Sequence, residues 1–132
     1  MNKKLLIIAP HPDDETISSG GTIAKYCAQG YEVTVLTVSG HLPPLYERDD
    51  YDITVEEAKK AYEILGVKNY TFLEVPATMV NVEPSHILNK NISDVVNKLS
   101  PQIVLIPFID RHQDHRVIFD ASMVATRPVG KG

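Results

Sequence analysis

Apolar residues fall into two patterns that alternate along the chain. Leu5–Ala9 is an uninterrupted apolar run, and residues 4–9 read as a parallel strand buried on both faces. Residues 20–29 read as a helix closed by Gly30, a usual residue just past a helix end. Residues 31–38, rich in Val and Thr, read as a second strand. Residues 39–52, with Gly40, Pro43 and Pro44, read as a long irregular stretch. A helix is predicted over 54–65, with Val55, Ala58, Ala61, Tyr62 and Leu65 on one face and Gly66 at its end. Thr54 and Glu57 have the spacing of a capping box. Residues 70–75 read as a third strand and 76–84 as a loop. Residues 85–99 read as a helix with Ile87, Val95 and Leu99 inward, stopped by Ser100-Pro101. Residues 102–107 read as a fourth strand, and 115–126 as a last helix ended by Arg127-Pro128.

Strands that alternate with helices predict an α/β fold, a doubly wound parallel sheet with right-handed crossovers. Strand order 3-2-1-4 is expected. It makes the first and fourth strands neighbours at the point where the winding reverses, and ligands bind at the carboxyl ends of strands there. One feature fits that order poorly. Ile103-Val104-Leu105-Ile106 is apolar on both faces, yet it would form the sheet edge. Such an edge invites pairing with another chain, so a homo-oligomer or a second chain completing the edge is expected.

Length and composition narrow the classes. The chain has 132 residues, read as a single domain over 1–132, with 43% hydrophobic and 23% charged residues. A net charge of −4 gives no electrostatic case for nucleic acid or an anionic membrane. No apolar run approaches the ~20 residues of a membrane span. The single cysteine, Cys27, has no partner for an internal disulfide; it reads as a small buried residue, and a cytoplasmic location is the simplest expectation.

The chemistry sits at two strand ends. Pro10-His11-Pro12-Asp13-Asp14-Glu15 follows the first strand, and His112-Gln113-Asp114-His115 follows the fourth. His11, Asp14 and His115 would supply two imidazoles and one carboxylate, a catalytic zinc set that leaves a position open. The same donors suit Fe2+. Asp13 is the candidate general base, beside a ligand without having to be one. His112, if cationic, would stabilise an oxyanion, and Asp114 would fix a histidine tautomer. The competing reading makes Asp13, Asp14 and Thr16 helix-capping residues. Glu15 reads as a first-turn helix acid. Asp110, Arg111, His41, Tyr46 and Arg48 are loop residues with a possible substrate role. Neither nucleotide-binding glycine fingerprint is present, nor a G-x-S-x-G nucleophile motif, so no nucleotide cofactor is expected.

These residues carry a resemblance. Ala9-Pro10-His11-Pro12-Asp13-Asp14-Glu15 together with His112-x-Asp114-His115 resembles the PIG-L/LmbE-like N-acetylglucosaminyl deacetylases. The resemblance extends to Leu65-Gly66-Val67 and to Ala125-Thr126-Arg127-Pro128. It implies a Rossmann-like zinc hydrolase that removes an acetyl or similar acyl group from the amine of an amino sugar or glycoconjugate. By motif position it implies His11, Asp14 and His115 as zinc ligands and Asp13 as general base. It likewise implies His112 as the group stabilising the tetrahedral intermediate and Asp114 as the carboxylate orienting it. Gln113 departs from the family, which often has Pro there. Family enzymes are also longer, so the sheet is expected to be incomplete after the fourth βα unit. The rival expectations are a metal amidase acting on a non-sugar amide and a non-catalytic metal-binding or assembly module.

Overall fold

β1 (Lys4–Ala9) runs through the middle of the molecule because every position from Leu5 onward is apolar and buried. The computed structural model describes residues 3–128. After β1 come α1 (Asp14–Ala28), β2 (Glu32–Gly40), α2 (Arg48–Leu65), β3 (Asn69–Pro76), α3 (Ser85–Leu99), β4 (Ile103–Leu105) and α4 (Gln113–Ala125). The four strands form one sheet in the order β3-β2-β1-β4, and every pairing is parallel. This is the expected α/β architecture and strand order.

The two faces of the sheet carry separate cores. Leu6, Ile8, Leu36 and Val38 face Leu88, Ile92 and Val96 of α3 and Ile118, Ala121 and Ala125 of α4. Leu5, Ile7, Val33 and Val35 face Ile23 of α1 and Ala58 and Tyr62 of α2. Successive residues of β1 thus feed opposite layers, as the two-residue period of a strand requires. Cutting a fully buried core side chain such as Ile92 back to Ala costs about 2–5 kcal/mol.

Several boundaries differ from the pattern reading. α1 begins at Asp14 and runs through Gly20-Gly21, because buried Glu15 and Ile23 lie on one stripe of that helix. α2 begins at Arg48, anchored by buried Tyr51. Thr54 is therefore inside α2, where its hydroxyl bonds Tyr51 O at 2.8 Å, and it caps nothing. The inward stripe of α3 is Leu88, Ile92 and Val96; Ile87 is exposed, and Val95 and Leu99 lie at the margin. β4 spans three residues and is half-buried. Cys27 is half-buried. Among the described residues no helix is long and apolar enough to cross a membrane.

Candidate metal centre

The strand order decides what can meet. β1 and β4 are neighbours in register from Leu5↔Ile103 to Ile7↔Leu105, so the turns that follow them emerge side by side. The Pro10–Asp13 turn leads into α1, and the segment after β4 leads through His112 into α4. Clusters far apart in sequence therefore converge on one patch.

Asp14 lies at the centre of that patch. Its Oδ2 is 3.3 Å from His11 Nδ1 and 3.3 Å from His115 Nε2. The donor atoms of His11, Asp14 and His115 all lie within 4.8 Å of one another. A tetrahedron with zinc–ligand bonds of about 2.05 Å has edges of roughly 3.3 Å, so two of its edges are already in place. The set fits a small divalent ion with a further position free.

Each imidazole is fixed from behind. His11 Nε2 lies 2.8 Å from Asp114 Oδ2, which assigns the ring proton to Nε2 and leaves Nδ1 for a metal. His115 Nδ1 lies 2.8 Å from Asp110 Oδ2, which leaves Nε2 facing Asp14. Asp114 is fully buried, and its Oδ2 also accepts the Thr78 backbone N–H at 2.8 Å. A second triple, His11, His112 and Asp114, is also close enough to hold an ion. Carboxylate oxygens of both triples already accept backbone N–H bonds, Asp14 Oδ2 from His11 and Asp114 Oδ2 from Thr78, but in the second triple His112 Nδ1 is also occupied by the Asp114 N–H.

In the metal-free state His11 shares a proton with the neighbouring acids. Burial disfavours the His11 cation, but hydrogen bonds to Asp114 and Asp14 outweigh this and raise its pKa to about 9. Burial would raise Asp14 and Asp114 as well, yet their bonds to His11 hold both below the usual carboxylate range.

Asp13 stands at the N-cap position of α1 with φ 85°, in the left-handed region, and its side chain makes no capping bond. Desolvation and the neighbouring Asp14 carboxylate push its pKa up. His112 is the N-cap of α4, and its Nδ1 accepts the Asp114 N–H at 3.1 Å. Its proton is thereby on Nε2, so the ring is a hydrogen-bond donor while neutral. The Asp114 carboxylate, which the resemblance implies as the group orienting His112, bonds His11 and lies 4.0 Å from His112 Nδ1.

The other candidates separate. Glu15 turns inward and is fully buried, and burial pushes its pKa up. Arg48 pairs with Glu74 and Asp52 beside β3. His41 stacks on Tyr46 with ring centroids 4.2 Å apart. Arg111 is exposed, and its carbonyl accepts from Arg116. Asp110, a minor candidate from sequence, braces both His115 and the His112 N–H. Thr78 and Gln113 carry contacts that no sequence pattern pointed to. A cleft of about 340 Å³ opens beside these side chains, lined among others by Pro10, Asp14, Ile17, Phe108, Asp110 and His115.

Comparison with known proteins gives a consistent picture. The sequence matches the family described as PIG-L, GlcNAc-PI de-N-acetylase, over residues 6–126. It is 32% identical to a 1D-myo-inositol 2-acetamido-2-deoxy-alpha-D-glucopyranoside deacetylase of Geodermatophilus obscurus, over 96% of this chain and 55% of that protein. It is 36% identical to a diacetylchitobiose deacetylase of Thermococcus kodakarensis, over 86% of this chain and 45% of that protein. Its fold is similar to that of N,N'-diacetylchitobiose deacetylase from Pyrococcus horikoshii, with a TM-score of 0.82 and 28% identity. That superposition covers 93% of this chain and 49% of the other. The chain spans about half the length of the curated relatives it matches.

Proposed function

The chain belongs to the PIG-L deacetylase family, and on that premise we propose that it forms the metal-bearing part of a zinc-dependent N-deacetylase. The substrate class is an N-acylated amino sugar or its conjugate, as the names of its relatives suggest. The carrying observation is the pair of 3.3 Å separations around Asp14 Oδ2. His11, Asp14 and His115 would hold the ion. Once bound, a divalent metal supplies Lewis-acid polarisation of the amide carbonyl and lowers the pKa of the attacking water.

The residues of the chain do the rest. Asp13 accepts the water proton and returns it to the departing amine, so that the C–N bond breaks to give a carboxylate and a free amine. His112 donates its Nε2 proton in a hydrogen bond to the carbonyl oxygen as that atom gains charge. Asp114 and Asp110 keep His11 and His115 in their ligating tautomers. The cleft beside the ligands offers space for the acylated amine.

The test is metal content of the purified chain beside a His11→Ala/His115→Ala variant, followed by acetate release from N-acetyl amino sugars. About one zinc per chain, lost in the variant, with acetate produced, is the expected result. A folded wild type that takes up no divalent metal would refute the reading. A second reading, a metal-holding module that needs another polypeptide for turnover, is favoured by Ile17 and Phe108, 80% and 81% exposed beside the cleft. Stable metal binding without acetate release selects it.

A further inference from the structure

α4 grips one residue of the β3–α3 connection from both sides. Thr78 donates its backbone N–H to Asp114 Oδ2 at 2.8 Å, and its carbonyl accepts from Gln113 Nε2 at 2.9 Å. The two gripping residues are consecutive and open α4. Only the amide nitrogen of Gln113 can donate to a carbonyl, so the direction of that bond is unambiguous. The preceding residue is tied to the sheet, since Ala77 N–H bonds Gly40 O at 2.7 Å.

Thr78 has φ 63°. A β-branched residue in the left-handed region is an outlier that persists only where its surroundings hold it. Loss of the Gln113 bond frees the Thr78 carbonyl and leaves the Pro76–Met79 turn, closed by the Met79 N–H on Pro76 O at 3.1 Å, to aim the Thr78 N–H at Asp114 alone. That matters because the same oxygen, Asp114 Oδ2, carries His11 Nε2. The other oxygen of this carboxylate, Oδ1, is buried and has no hydrogen-bond partner among the described residues. The orientation of the carboxylate, and through it that of the His11 ring, rests on two bonds to one atom.

We propose that Gln113 is a positioning residue for the metal centre: by holding Thr78 it fixes the Asp114 carboxylate and, through it, the ligating face of His11. The role of His11 as ligand rests on the function proposed above; the Gln113–Thr78–Asp114–His11 relay does not.

The experiment uses Gln113→Ala and Gln113→Glu with two readouts. The first is the downfield, exchange-protected Nε2 proton of His11 by NMR in metal-free protein. The second is zinc affinity by competition titration. Glu preserves the length of the side chain and suits a first helical turn, but it cannot donate to Thr78. Both variants are expected to lose protection of the His11 proton and to bind zinc about tenfold more weakly, as when a ligand's supporting bond is removed. Gln113→Glu is expected to remain folded, with its carboxylate turned to solvent from a half-buried position, so it decides the matter if Gln113→Ala is unstable. Retention of the proton signal and of zinc affinity within twofold in Gln113→Glu overturns the proposal. If wild type binds no zinc, the metal reading fails and the proton signal alone decides on Gln113.

Discussion

The Asp110 carboxylate lies 2.8 Å from His115 Nδ1, on the side of the ring away from Asp14. It also accepts the His112 N–H at 2.8 Å, so one exposed acid braces two histidines. Asp110→Asn is expected to weaken zinc binding by about 10–100-fold with little change in unfolding midpoint, because the lost bonds are solvent-exposed. Competition titration checks this. Wild-type affinity in the variant would reduce Asp110 to a loop acid.

Asp13 makes no capping bond, so replacing it sacrifices none. Asp13→Asn should lower acetate release by about 10²–10⁴-fold, the range of a lost general base. Metal content should stay near that of wild type. A near-normal turnover rate would show that another group takes the proton.

His11 gives the metal-free protein a pH signature. Its folded pKa is about 9 against an ordinary 6.5, so the native state binds the extra proton between those values. The resulting stabilisation is complete below pH 6.5 and is lost as pH rises through 9. Its size is on the order of 3 kcal/mol for a ring this buried. Asp14 and Asp114 act oppositely, giving stability that is lost as pH falls through their depressed values. Urea midpoints in chelator should therefore decline between pH 6.5 and 9, and His11→Gln should flatten that decline. Zinc must displace the His11 proton, so its apparent affinity should climb over the same interval. An affinity independent of pH from 6.5 to 9 would contradict the His11 assignment.

Gly40 ends β2 against the Tyr51 ring. A Cβ there would stand 2.5 Å from Tyr51 Cε1 and 2.7 Å from Cδ1. Tyr51 is 2% exposed, so the ring has nowhere to retreat. Gly40→Ala is expected to cost about 1–3 kcal/mol, the usual penalty of overpacking. A second change, Tyr51→Leu, should recover part of it. Denaturant titration of the single and double variants measures both.

Sequence patterning identified strands well because β1 and β2 are buried on both faces and hydrophobic runs report that directly. It failed at the starts of α1 and α2, where polar residues dominate and single buried anchors, Glu15 and Tyr51, set the helix. His11, Asp13, Asp14, His112, Asp114 and His115 were legible as two clusters of one chemistry. Their hydrogen-bond partners were not. Asp110 resembles any loop acid, and Thr78 contributes backbone groups that carry no side-chain signature.

The bond between His11 and Asp114 joins residues 103 positions apart. Neither turn can assemble a site alone, and closing so long a loop carries an entropic cost that only the packed sheet offsets. The order of events in folding follows. The β1–α1 turn can form early from local contacts, while His11, Asp14 and His115 meet only after β4 has docked on β1. Capture of an ion during refolding would therefore be a late step, timing the arrival of the fourth strand rather than the growth of any helix.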